Sequence, residues 1–329
     1  MPLPFSRRAL QTAPSFSRDF AGLKTLDHGV GPAITFTRAS NATFFDASGT
    51  LQTAANDTPR FDHDPATGAS RGLLIEELRT NLLLNSATLA TQTVTVTAVA
   101  HTLSFYGTGE VVLSGVHSAT VTGTGAFPTR TTLTFTPTAG SLTATVTGTV
   151  SNAQLEIGSF ATSYIPTTTA AATRATEQAI VNPVSSFYNP NASTLFAEIE
   201  LRGLLPSARY VQFDDETNNN RVVFGLTSGV AVQNFTTTSA VNTLASSVVG
   251  ALSVGSVYKS AGAYAANNMV SAQGGTLGTV DTSGEMPLGI VRLRLDGQLS
   301  PTPPRGHWIR RFAYWPRRLS DQLLQQLTT

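Results

Sequence analysis

Between Gln92 and Val150 the chain is written almost entirely in period two. The segments "TVTVTAVAHTLSFYG", "EVVLSG", "SATVTGTG", "RTTLTFTPTAG" and "SLTATVTGTV" alternate small polar with apolar residues, and Gly-containing turns separate them. Successive side chains of a strand point to opposite faces, so each segment acquires one apolar and one hydroxylated side. Thr and Val are also β-branched, which stiffens χ1 and favours a pleated surface over a helix. Short strands at this regular spacing read as an antiparallel β-sandwich, with outward Thr keeping the ladders soluble without charge.

The rest of the chain is punctuated similarly. "ITFTR" alternates, and "FFDASGTLQTA" reads as a hairpin turning at Asp46 to Gly49. "DHDPATG" has the Asp-Pro and Thr-Gly steps of a turn. "GLLIEELRTNLLLNS" is a dense apolar run, read as strand and loop because Asn81 and Asn85 would interrupt a helix. From Thr194 onward, "TLFAEIELRG", "ARYVQFDD", "NRVVFGLTSG" and "GIVRLRLDG" are further strands. At the end, Pro316 stops a strand, Ser320 and Asp321 start a helix, and Leu323, Leu324 and Leu327 share its face.

The expected fold is all-β: an N-terminal arm and β platform followed by two antiparallel β-sandwich (jelly-roll) domains. The expected boundaries are an extended arm over 1–33, a β-rich platform over 34–90 and a small sandwich over 91–166. An Ala/Thr linker over 167–180 and a larger sandwich over 181–329 complete the chain. The arm rests on Pro2, Pro4 and Pro14 among residues without strand or helix period.

Charge excludes several classes of partner. Lys+Arg number 21 against 20 Asp+Glu, a formal charge of +1, so no strong field recruits nucleic acid or an anionic membrane surface. No window approaches the roughly 20 apolar residues of a membrane helix. Arg7 and Arg8 precede no apolar core of a secretory signal. Cys is absent, so no disulfide or thiolate site holds the fold, which suits assembly in a reducing cytoplasm.

Side chains able to do chemistry are sparse. The five histidines are isolated, without metal-ligand spacing, and no nucleophile elbow, phosphate loop or dinucleotide fingerprint occurs. Glu198 and Glu200 in "AEIEL" sit at i and i+2, on one face of a strand roughly 6.5–7 Å apart, within the range of glycosidase carboxylates. The next same-face residue is Arg202, however, and a solvated face with a Glu200–Arg202 contact is the favoured reading. Asp62 and Asp64 in "FDHDPATG" could offer oxygens to Ca²⁺, although Asp in turns usually caps local amides. No other cofactor is expected. "FDDETNNNR" has the same ambiguity. A sugar site would need an exposed aromatic platform for sugar C–H faces beside amide or carboxylate groups for the hydroxyls. Tyr258, Tyr264 and Asn267, with Trp308 and Trp315 on the last strand, are the candidates, and alternation buries Tyr314 while turning Trp315 to the other face.

The stretch "TFTRASNATFFDASGTLQTAANDTPRFDHDPATGASRGLLIEELRTNLLLNS" resembles the module near the start of many tailed-bacteriophage virion proteins of the head-fibre, spike and tail-fibre kind. "AQLEIGSFATSYIPTTTAAATRATE" is similar to the exit of the carbohydrate-binding-module-like sandwich that commonly follows there. "GHWIRRFAYWPRRLSDQLLQQL" resembles the final strand and helix of concanavalin-like or laminin-G-like jelly rolls. Together these stretches carry the resemblance over most of Ile34 to Thr329. It implies a non-enzymatic structural protein on the virion surface, as a head spike, head fibre or decoration protein. Such a protein assembles in the bacterial cytoplasm, often as a homotrimer, and its outer sandwiches touch host surface polysaccharide. The alternatives are a tail fibre or receptor-binding lectin and, further off, a polysaccharide-cleaving enzyme. The arm then becomes the anchor to capsid or tail proteins, through Phe5, Arg7, Arg8 and Phe16. No catalytic residue is implied.

Overall fold

The computed structural model describes residues 13–204, 208–226, 231–237, 249–297 and 306–329. Among them are 27 strands and two short helices, and every strand pairing is antiparallel. The fold is all-β. Two compact units divide the chain, one of residues 1–37, 70–77 and 177–329, the other of residues 38–69 and 78–176.

The smaller unit carries the period-two sandwich. One sheet orders Ala119–Thr122, Glu110–Gly115, Gly140–Thr147 and Gln92–Val96; the other orders Thr131–Phe135, His101–Tyr106 and Ser151–Ile157. Val96, Val111, Leu113, Leu142 and Ala144 from the first meet Leu103, Phe105, Ala153 and Leu155 from the second in one buried cluster. Each large apolar side chain contributes about 1.5–3 kcal/mol by leaving water. On the opposite face of the four-stranded sheet the hydroxyls stay outward, and Thr93 and Thr143 bond one another at 2.9 Å across the ladder. The three-stranded sheet departs from the expected pattern: Thr102 and Ser104 are 1% and 0% exposed. Its second face is also covered, and that covering builds the site described below.

The hairpin is as read: Ala42–Phe45 pairs with Leu51–Ala54, and Asp46 closes the turn. Hydrogen bonds from the Ser48 hydroxyl, the Gln52 amide and backbone amides hold the Asp46 carboxyl down to about 2. "GLLIEELRTN" is strand and loop, with strands at Ser70–Glu76 and Arg79–Asn81.

In the larger unit the central strands of one sheet are Gly306–Trp315, Ala192–Leu201 and Val257–Ala265. One edge of Gly306–Trp315 takes Ser70–Glu76 along its first half and Phe16–Asp19 along its second. Gly72 lies against the Ile309 carbonyl at φ +92°, where a Cβ would strike the neighbouring backbone. The second sheet runs Val249–Ala251, Ala231–Thr237, Arg221–Leu226, Arg209–Asp214, Arg292–Arg294, Gln178–Val181 and Thr35–Thr37. Helix Asp321–Thr328, capped by the Ser320 hydroxyl on the Leu323 amide, packs Leu324 on Phe196, Ala313 and Trp315.

Three expected boundaries change. Residues 16–30 are not an arm: Phe16 and Phe20 are 0% exposed, and Phe16 stacks on Phe187 at 5.1 Å. The buried Arg18 guanidinium donates to the Leu26 and Val30 carbonyls and gathers the following loop onto this strand. Its pairing partner lies about three hundred residues away, so no local pattern announces it. The 34–90 platform is not a unit, because residues 34–37 and 70–77 belong to the larger unit and the rest to the smaller. The 167–180 segment is not a linker, since Ala172–Arg174 pairs with Arg79–Asn81 and Gln178–Val181 pairs with Thr35–Thr37.

Candidate functional site

A half-open cleft of about 260 Å³ lies in the smaller unit. The hairpin supplies Ala42, Thr43 and Thr53, the strand Ala172–Arg174 supplies its three residues, and Tyr164 to Pro166 close the remaining side. Thr43 is turned inward and donates to the Tyr164 carbonyl at 2.5 Å, whereas Thr53, opposite it on the hairpin, is exposed.

The cleft stands on a buried polar layer that covers the second face of the three-stranded sheet. Glu156, 0% exposed, accepts from the Thr162 amide (2.8 Å), the Thr162 hydroxyl (2.7 Å) and the Gln154 amide (2.6 Å). Arg174 donates to the Thr162 and Ser163 hydroxyls at 3.1 Å, and Arg60 donates to Ser163 and the Thr43 carbonyl at 2.7 Å. Arg79 lies over the Phe160 ring with its Nε 3.8 Å from Glu156. Gly158, at φ +141°, leaves the space this guanidinium fills. Buried charges persist when paired and hydrogen-bonded, and here Glu156 takes three donors while Arg60 and Arg174 each reach two acceptors beneath the cleft.

The Tyr164 phenol bonds the Ser86 hydroxyl at 2.7 Å, and burial pushes its pKa up, so it stays neutral. Sequence reasoning picked out none of the cleft residues. The usable signal was "TSYIPT", whose Tyr and Pro flank a short apolar step in an otherwise hydroxylated tract.

In the larger unit the Glu198 and Glu200 pair does share one face of its strand. Arg310 and Arg311 bind the two oxygens of Glu198, with Nε contacts at 3.1 and 2.6 Å. Glu200 meets Arg71 at 3.4 Å, and Arg202 goes to Glu76 at 2.8 Å. The expected Glu200–Arg202 contact is thus replaced, and the face is not solvated: Glu198 and Glu200 are 8% and 5% exposed. Trp308 lies between the two crossing side chains, with Arg71 and Arg202 guanidinium carbons 4.6 and 5.0 Å from its ring. Guanidinium groups over an indole face and against carboxylates make a cross-braced surface.

The proposed aromatic platform does not assemble. Tyr264 and Trp315 are 1% and 0% exposed, because helix Asp321–Thr328 covers the outer face that Trp315 occupies and Tyr264 points between the sheets. Tyr314 is buried on the opposite face, as alternation requires. Trp308 is held by the arginines, Tyr258 bonds back to Ser253, and Asn267 sits exposed in a left-handed turn at φ 55°. The Tyr264 hydroxyl has no hydrogen-bond partner among the described residues, and burial drives its pKa far up. Tyr264→Phe is therefore expected to leave stability unchanged or raise it by about 1 kcal/mol, because an unpaired buried hydroxyl is removed. Urea denaturation checks this, and a loss above about 1 kcal/mol would mean the hydroxyl is paired.

The metal and anchor residues also have placements. Asp64 caps the amides of Ala66 and Thr67, and the buried Asp62 accepts from the Phe45 amide at 2.7 Å. Among the described residues no three His, Cys, Asp or Glu side chains gather as metal ligands. In "FDDETNNNR", Asp214 is buried on Arg292 and Asp215 caps Thr217. Of the anchor residues, Phe5, Arg7 and Arg8 lie outside the described residues, and Phe16 is core and so not available to another protein.

No family model matches this chain, and no curated protein matches it. Among solved structures, it is similar to a Trypanosoma rangeli sialidase in complex with the inhibitor DANA at 13% identity and a TM-score of 0.36, covering 46% of this chain and 26% of that one. The NanB sialidase from Streptococcus pneumoniae gives 12% identity, a TM-score of 0.36 and the same coverage. The CBM40 of a Ruminococcus gnavus IT-sialidase gives 11% identity and a TM-score of 0.38, over 45% of this chain and 91% of that one. This chain thus spans about a quarter of the two sialidases, and scores this low decide nothing about ligand or activity.

Proposed function

We propose that this chain is a structural protein displayed on the surface of a tailed-bacteriophage particle, as a head spike, head fibre or decoration protein, and that it meets host glycans without cleaving them. The sequence resemblance over residues 35–86 and 153–177 supports the virion reading. One structural observation carries the non-enzymatic part: the acidic pair best spaced for hydrolysis has separate arginines on each carboxylate, Arg310 and Arg311 on Glu198 and Arg71 on Glu200. A glycosidase needs two carboxyl groups facing a shared gap that admits the glycosidic oxygen. Here the acids serve as struts between strands. A homotrimer attached to capsid or tail proteins, assembled in the host cytoplasm, belongs to the same proposal, with the attachment made by surfaces other than Phe16. A tail-fibre lectin is the second reading, and the cleft favours it.

Imaging of purified particles with and without the gene tests the display reading. Loss of a surface projection in the deletion is expected. Identical particles, with the protein absent from purified wild-type virions, would overturn it.

A further inference from the structure

We infer that the cleft of the smaller unit is a subsite for one neutral sugar residue. The inference rests on the glycan-contact part of the proposal above and names where and what that contact is. Size sets the first limit: about 260 Å³ lies just below the usual range of small-molecule pockets, enough for a single ring but not for an extended oligosaccharide.

The lining sets the chemistry. Among the described residues no exposed aromatic ring lines the cleft, and Ala42, Ile165, Pro166 and Ala172 supply aliphatic C–H groups in its place, against which the apolar face of a pyranose can pack. At the mouth, the Asn41 carboxamide and the Thr53 hydroxyl are exposed and take no hydrogen-bond partner among the described residues. An amide offers two donors and an acceptor, and a hydroxyl offers both, the set that vicinal ring hydroxyls match. The Ser40 hydroxyl accepts from the Ala175 amide, which leaves its proton to donate.

Charge sets the last limit. No carboxylate lines the cleft, so a cationic ligand finds no counter-charge. The one lining cation, Arg174, is 1% exposed and is directed at Thr162 and Ser163 beneath the cleft. An acidic sugar would have to give up its hydration without reaching that guanidinium. Neutral hydroxyls and a neutral amide beside an aliphatic lining select a neutral polyol.

The test uses the full chain and three probes, the methyl glycosides of glucose, galactose and N-acetylglucosamine, with methyl glucuronide as the charged control. Binding is followed by NMR chemical shifts of residues 41, 53 and 173. Saturable shifts with at least one neutral glycoside are expected. Asn41→Ala should weaken them about tenfold, the equivalent of one neutral hydrogen bond, and Thr53→Tyr should abolish them by filling the mouth. Both positions are exposed, so thermal melting should not move. Tighter binding of the glucuronide, or neutral binding untouched by either variant, would overturn the inference. Absence of all binding here would overturn it too, while a positive glycan array with the same protein would leave the glycan-contact reading standing. Particle imaging decides display independently of either result.

Discussion

Trp315→Ala is expected to cost the larger unit about 3–5 kcal/mol, the range for removing a fully buried aromatic from a packed core. Trp315 is 0% exposed and sits where Phe196, Ala313, Leu319 and Leu324 converge, so its removal opens a void between the sheet and helix Asp321–Thr328. The helix has eight residues, too few to persist without packing. The loss should therefore appear both as a lower denaturation midpoint at unchanged m-value and as fast amide exchange through residues 324–328. Both tryptophans of the chain, Trp308 and Trp315, lie in this unit, and the remaining Trp308 reports its unfolding by fluorescence. A cost below about 1 kcal/mol would show that the helix does not dock on this residue.

Asn81→Leu should damage the smaller unit to a similar degree by a different route. The Asn81 side chain is 0% exposed and donates to the Ala153 and Ile165 carbonyls at 3.0 and 2.9 Å. It also accepts from the Leu83 and Leu155 amides, both at 3.1 Å. Leucine fills a comparable volume but leaves four backbone groups without partners. At about 1–3 kcal/mol for each unsatisfied group, and with partial relaxation, a total of about 4 kcal/mol or more is expected. Hydrogen exchange at residues 82–84 and 153–155 localises the effect. The neighbouring Thr80→Ala removes one hydroxyl bond to Thr173 at a half-exposed site and should cost less than about 1 kcal/mol. Equal effects at the two positions would contradict the bracketing role.

Asn81 also shows where sequence reasoning stops. Its placement in "LRTNLLL" rightly argues against a helix, because that inference needs only local backbone preference. That it ties three separate segments together cannot be read from its neighbours, since its partners lie 72 and 84 residues away. The Glu198 and Glu200 pair follows the same rule. Period two places both on one face, as in the structure, but which arginine reaches which acid depends on strands contributed by residues 70–77 and 306–315.

The arm and linker readings missed for a related reason. Phe16–Asp19 and Ala172–Arg174 are four and three residues long, too short to show a period, and both are strands only because distant partners bond them. The aromatic platform missed because exposure belongs to layers: alternation correctly separates Tyr314 from Trp315, yet the C-terminal helix buries the face that alternation leaves outward.

By itself, then, the sequence determined the all-β class, the hairpin at Asp46 to Gly49, the alternating segments that supply six of the seven sandwich strands and the capped terminal helix, each of which is set by dihedral preference and side-chain period within about ten residues. Only the tertiary structure decided how two discontinuous units share the chain, which arginines brace which acids, and where a cleft opens. Those depend on burial and on hydrogen bonds between segments far apart in the chain, and a charged or polar group acquires its role only when its partner arrives.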